Sequence, residues 1–194
     1  MVDIEQIKQL RDETGASPTE CKKALLESNG DAAKARELLR IHGKAVATKK
    51  TARETKTGLI DTYLHLNAQT GVMLDIRCES DFVAKSENLK TLAHEICLQI
   101  AAQKPIFVKE EEIPAEFIDG ETKIYKEQFK DSGKPQKIVD QIIEGKLNKY
   151  KAEVSLLSQV WIKDDSKTIK DLIGEYVAKI GENIEVKRFS RFEI

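Results

Sequence analysis

Long apolar runs, paired cysteines and an excess of either charge are all missing from this chain. No stretch of its 194 residues approaches the ~20 consecutive apolar residues of a membrane span, so no membrane association is expected. Met1-Val2-Asp3-Ile4-Glu5 carries neither the basic nor the apolar block of a secretory signal, and a cytoplasmic location is expected. The three cysteines, Cys21, Cys78 and Cys97, form no Cys-x-x-Cys. That excludes a zinc ribbon and a dithiol redox motif, and an odd, sparse count suits a reducing compartment. Lys plus Arg (32) and Asp plus Glu (33) nearly cancel, which argues against a dedicated polyanion binder but leaves room for a local basic patch. Phosphate-binding glycine loops, dinucleotide fingerprints and nucleophile elbows are absent, and His94-Glu95 has Leu98 where a zinc-binding motif needs its second histidine. Nothing here nominates an enzyme, a cofactor or a metal. Aromatics make up only 6% of the chain, so an exposed one needs an explanation.

What is present begins with helix signals. Ile4, Ile7 and Leu10 recur at helical spacing up to Thr14-Gly15. Ser17-Pro18-Thr19-Glu20 combines a cap, a first-turn proline and a capping-box glutamate, and a second helix should end at Ser28-Asn29-Gly30. Asp31 opens a third helix expected to stop near Gly43. The expected core of this small bundle is Ile4, Ile7, Leu10, Cys21, Leu25, Ala35, Leu38 and Leu39. From Lys34 to Lys56 eight basic residues face two acidic ones, and Ala45 to Thr57 reads as a solvated connector, helical or extended. After Gly58 the period changes to two. Ile60, Thr62, Leu64 and Leu66 alternate with polar residues and pair, across a turn at 67–71, with the run Val72, Leu74, Ile76 and Cys78. Ser86 caps a long helix with the stripe Leu89, Leu92, Ala93, Ile96, Cys97, Ile100 and Ala101, stopped at Lys104-Pro105. Cys78 and Cys97 are read as packing residues.

Further helices are expected over a charge-rich stretch from Lys109 to Asp131, after Pro135 with Ile138, Val139, Ile142 and Ile143 inward and a break at Gly145, and from Thr168 to Ile180. Leu156 to Ile162 reads as a strand or an extended arm, and Ile184 and Val186 mark a last strand. The predicted class is α+β. A three-helix module, similar to ubiquitin-associated folds, and a basic connector occupy residues 1–54. A three-stranded antiparallel sheet packed with helices occupies residues 55–194.

Two places stand out as functional candidates. Glu79-Ser80-Asp81-Phe82-Val83-Ala84-Lys85 joins a strand to the long helix, where loops present function. On the residues alone the preferred reading is local, with Phe82 as a staple and Asp81 as a cap; the alternative is a protruding acidic–aromatic tip that enters a partner's pocket. The second place is Arg11 with the corner from Thr14 to Lys22, either an ordinary helix corner or a docking surface. A third reading gives the basic stretch a phosphate backbone, but it lacks aromatics to stack bases, and no direct nucleic-acid partner is expected.

Blocks spread over nearly the whole chain resemble the bacterial elongation factor Ts family. They are Leu10-Arg11-Asp12-Glu13-Thr14-Gly15-Ala16, Cys21-Lys22-Lys23-Ala24-Leu25, Asn29-Gly30-Asp31, Cys78 to Lys85, Gly133-Lys134-Pro135, Glu144-Gly145-Lys146-Leu147, Val160-Trp161-Ile162-Lys163-Asp164 and Gly181-Glu182-Asn183-Ile184. The length is similar to that of the family's short members. The resemblance implies a guanine-nucleotide exchange factor for elongation factor Tu, which makes and breaks no covalent bond. It also implies a partner-binding tip at Ser80, Asp81, Phe82 and Val83 that enters the GTPase beside its Mg²⁺ and displaces the ion. Arg11, Pro18, Thr19, Glu20, Cys21 and Lys22 would dock the module, and a homodimer would give a 2:2 complex. Three positions depart from the family pattern. Ser17-Pro18-Thr19-Glu20 replaces Gly-Met-Met-Asp, Gln159-Val160-Trp161 replaces Gln-Pro-Phe, and Ser80 replaces a threonine while keeping the hydroxyl.

Overall fold

A computed structural model describes residues 2–130, 133 and 135–194, apart from the side chains of Lys44 and Val46. Three helices open the chain. The first, α1 (Ile4–Thr14), starts on an Asp3–Gln6 capping box and ends at Gly15. The second, α2 (Pro18–Glu27), starts on the Ser17–Glu20 box. Asp31 caps α3 (Ala32–Lys50) by accepting from Ala33 and Lys34 N–H. Leu10, Cys21, Ala24, Leu25 and Ala35 close the module's core, with Val2, Ile7, Leu38 and Leu39 against it. Ile4, expected inside, is exposed instead; Val2 covers that end of the core.

The expected stop at Gly43 is overruled, since α3 continues to Lys50, about two turns further. Gly43 and Ala47 lie against Ala178 and Gly174 of α8 (Ile169–Ile180), and this close contact between small side chains keeps the helix going where propensity alone would end it. The basic connector is therefore helical up to Lys50, and one of its faces is packed rather than solvated.

The main sheet has three antiparallel strands in the order β1-β2-β5: β1 (Thr57–Leu64), β2 (Thr70–Cys78) and β5 (Ile184–Glu193). Gly58 is obligatory in this pairing, because a Cβ there would lie 2.1 Å from the Ile76 carbonyl oxygen. Val72, Leu74, Ile76 and Cys78 face α5 (Glu87–Gln103), whose stripe forms the main core as predicted. The phase of β1 is the reverse of expectation. Leu59 and Tyr63 pack on the core with Asp61 between them, while Ile60 and Leu64 are more than half exposed. The register Asp61↔Leu74 and Ile60↔Asp75 is the reason, since cross-strand partners share a face and Leu74 is wholly buried. Asp75 itself sits on the outer face, covered by Arg77 and Arg188, and the guanidinium of Arg77 holds its carboxyl below the usual range.

Between α5 and α8 the chain forms α6 (Ala115–Phe129) and α7 (Gln136–Val154), with Phe117 set edge-on to Phe107. The stretch predicted helical to Asp131 ends at Phe129, and Asp131 lies outside the described residues. Gly145 does not break α7, and Ile138 faces outward while Val139 and Ile143 are buried. Leu156 to Ile162 resolves into one 3₁₀ turn and a two-residue strand, β3 (Val160–Trp161). It pairs with β4 (Asp164–Thr168), a strand the pattern did not predict. Thr168 then caps α8, and Gly181 closes it.

Candidate functional site

The first site is built where β2 leaves the sheet. Cys78 is the last paired residue, and its thiol donates to the Ser80 carbonyl at 3.2 Å. Burial, with the nearby Glu182 charge, pushes that thiol's pKa up. Ser80 caps a single turn, α4 (Asp81–Ala84), by accepting from Val83 N–H at 3.3 Å. One helical turn separates neighbouring side chains by about 100°, so consecutive residues part company. Val83 is 5% exposed and belongs to the main core, while Phe82 is 81% exposed. Phe82 is thus no staple, and the cap is Ser80 rather than Asp81. Asp81 pairs with Lys85 at 3.2 Å in open solvent. Withholding such a ring from water would be worth about 1.5–3 kcal/mol, and nothing in its own protomer does so. Beside it, Gly58, Ile60, Asp61, Ala84, Lys85 and Lys90 line a groove of about 530 Å³.

The segments at the base of α4 hold each other. Glu182 accepts from Ser80 twice, from N–H at 2.9 Å and from the hydroxyl at 2.6 Å. Glu79 accepts from Asn183 N–H at 2.6 Å and pairs with Arg53 at 3.6 Å. Asn183 Nδ2 donates to the Arg53 carbonyl at 2.8 Å, and Lys50 Nζ donates to the Gly181 carbonyl.

The second site is the α1–α2 corner. Thr14 Oγ1 donates to the Leu10 carbonyl at 2.6 Å, and Gly15 takes a φ of 68° that favours glycine. A Cβ on Gly15 would also lie 3.0 Å from Lys179 Cδ, so the stem of Lys179 lies across the corner. Arg11, Pro18, Thr19 and Lys22 are exposed, and Glu20 is turned back onto Ser17. Cys21 is wholly buried with its thiol pKa pushed up by that burial, so it shapes the corner from beneath. Leu26, exposed one turn beyond Lys22, extends the same stripe; its apolar character out of phase with Cys21, Ala24 and Leu25 was the signal available in the sequence. The two sites are joined through the end of α8, where Lys179 meets the corner and Glu182 meets the tip. Glu182 carries no local pattern that reveals this role.

Among the described residues no three His, Cys, Asp or Glu side chains converge as metal ligands, and no helix is long and apolar enough to cross a membrane. The arrangement offers surfaces for contact: an exposed ring on a braced turn, and a polar corner fixed relative to it.

Known proteins match this chain in sequence from end to end. The family model described as Elongation factor TS matches residues 5–177. The curated elongation factor Ts of Thermotoga petrophila is 50% identical over 193 residues, covering all of this chain and 96% of the relative. That of Thermosipho melanesiensis is 48% identical over 194 residues, covering 99% of the relative, and that of Thermoanaerobacter sp. is 45% identical over 193 residues, covering 95%. With one continuous match spanning both the corner and the tip, this chain belongs to the elongation factor Ts family, the elongation factors of protein biosynthesis.

Proposed function

We propose that this protein is the guanine-nucleotide exchange factor of elongation factor Tu, that the Asp81-Phe82 tip performs the release, and that the corner from Arg11 to Lys22 docks the module on the same GTPase. The observation that carries the reading is the exposure of Phe82 on a turn anchored by buried Val83 and by the Ser80–Glu182 bond. A rigid base means that little conformational entropy is lost when the ring enters a partner. Wedged beside the Mg²⁺ site, the ring would move the groups that hold the ion, and Mg²⁺ neutralises the phosphate charge of bound nucleotide. Loss of the ion weakens the grip on diphosphate. By linkage, GDP lowers the affinity for the exchange factor by the same factor that the exchange factor lowers the affinity for GDP.

The test is release of labelled GDP from elongation factor Tu with saturating wild-type protein or Phe82→Ala. The variant should lose at least about tenfold in release rate, as expected for a buried aromatic anchor. Because the ring touches no core, its melting temperature should stay with the wild type. Equal release by both proteins would end the wedge reading.

A homodimer completes the proposal. Ile60, Leu64, Met73 and Phe192 lie exposed on the outer face of the sheet, and a second copy laid against this face would cover them. Two protomers would then present two tips, giving a 2:2 complex.

A further inference from the structure

Past the pair Cys78↔Ile184 the strands β2 and β5 diverge, and the next backbone N–H groups lose their ladder partners. The chain replaces them by a reciprocal exchange of carboxylates. Glu182, from the β5 side, takes Ser80 N–H at 2.9 Å, and Glu79, from the β2 side, takes Asn183 N–H at 2.6 Å. Glu182 does one thing more. Its Oε1 takes the Ser80 hydroxyl proton at 2.6 Å, which turns the hydroxyl's lone pairs toward Val83 N–H. A single helical turn has no stability of its own, because nucleation is unfavourable. The shape of α4 therefore depends on its cap and on burial of Val83, and the cap depends on Glu182.

We propose that Glu182 is a positioning residue for the Phe82 contact, aiming the ring by holding the Ser80 cap of α4. This inference rests on the exchange reading above and adds to it a residue 100 positions away that never meets the partner's nucleotide site.

The experiment is a double-mutant cycle on the full chain, with elongation factor Tu carrying labelled GDP. Glu182→Ala should lower the maximal release rate about tenfold while shifting the half-saturating concentration less than about twofold, since the corner is untouched. Glu182→Gln, which keeps volume and one acceptor oxygen, should lose less. In a Phe82→Ala background either substitution should cost less than about twofold, because there is no longer a ring to aim. Amide exchange on the free protein supplies the readout independent of the GTPase: Val83 and Ala84 amides should exchange faster in Glu182→Gln while those of α2 do not change. Full release by both Glu182 variants, an equal loss on top of Phe82→Ala, or unchanged exchange at Val83 would each overturn the assignment. If Glu182→Ala fails to fold, Glu182→Gln carries the same cycle. If Phe82→Ala alone releases GDP like wild type, the exchange reading fails, and amide exchange still decides whether Glu182 holds α4.

Discussion

Gly58 and Gly145 show how little residue identity says without its neighbours. Both lie inside regular elements, yet only Gly58 is pressed against a facing backbone. Gly58→Ala should force β1 away from β2 and lower the urea midpoint sharply. Gly145→Ala, with open space around it inside α7, should raise stability by about 0.5–1 kcal/mol through helix propensity. Cys97 makes a similar point about titration. Burial, with the Asp61 carboxylate nearby, pushes its thiol up to about 12 from an ordinary 9.0. Between these values the unfolded chain has released a proton that the folded chain keeps, so stability falls as pH rises through that window. Urea denaturation from pH 8 to 12 should show the wild type losing more stability than Cys97→Ala. At this scale the capping residues Ser17, Asp31 and Ser86 were legible in the sequence, because caps act over three or four positions. Phe82 was not. Val83 takes the core position and the Ser80 cap is bonded to Glu182 far along the chain, so no local pattern chooses between a staple and a protruding tip.

Elements run longer than their punctuation implies. Gly43 and Gly145 each sit inside one helix, and Gly43 does so because α3 rests on α8. A Cβ on Gly174 of α8 would lie 3.6 Å from the Ala47 Cβ, so the contact has room for a methyl but not for a large side chain. Gly174→Leu should separate the helices at a cost of about 1–3 kcal/mol in urea denaturation. The far end of β5 is held differently. Arg191 and Lys104 hold the Glu193 carboxyl down to about 2 from its ordinary 4.5. A carboxyl depressed on folding stabilises above its unfolded value, so the strand end should fray as pH falls from 4.5 toward 2, read as faster amide exchange at Ser190 to Glu193. The alternating run in β2 predicted its buried face correctly, whereas β1 was read out of phase. Ile60 and Leu64 have the composition of core residues, and only the cross-strand register places them outside.

For the whole molecule, the predicted α+β class and antiparallel sheet are present, with the β3–β4 ribbon as an addition. The outward turn of Ile60 and Leu64, which hydrophobic periodicity placed inside, joins Met73 and Phe192 in an exposed apolar face. On the proposed reading, Met73→Asp would put a charge in the dimer interface, so sedimentation should show a monomer that still folds. A wild-type monomer at tens of micromolar would remove the 2:2 complex.

Lys179, in the last turn of α8, and Glu182, just past its Gly181 cap, lie three residues apart, the one with its stem across the α1–α2 corner and the other bound to the Ser80 cap of α4. On the proposed reading that short stretch would act as a gauge of fixed span. A GTPase whose two receiving sites are spaced differently can meet one jaw or the other but not both. Discrimination among related GTPases would then reside in distance as much as in chemistry, and substitutions that alter neither surface but change the span would alter the choice of partner.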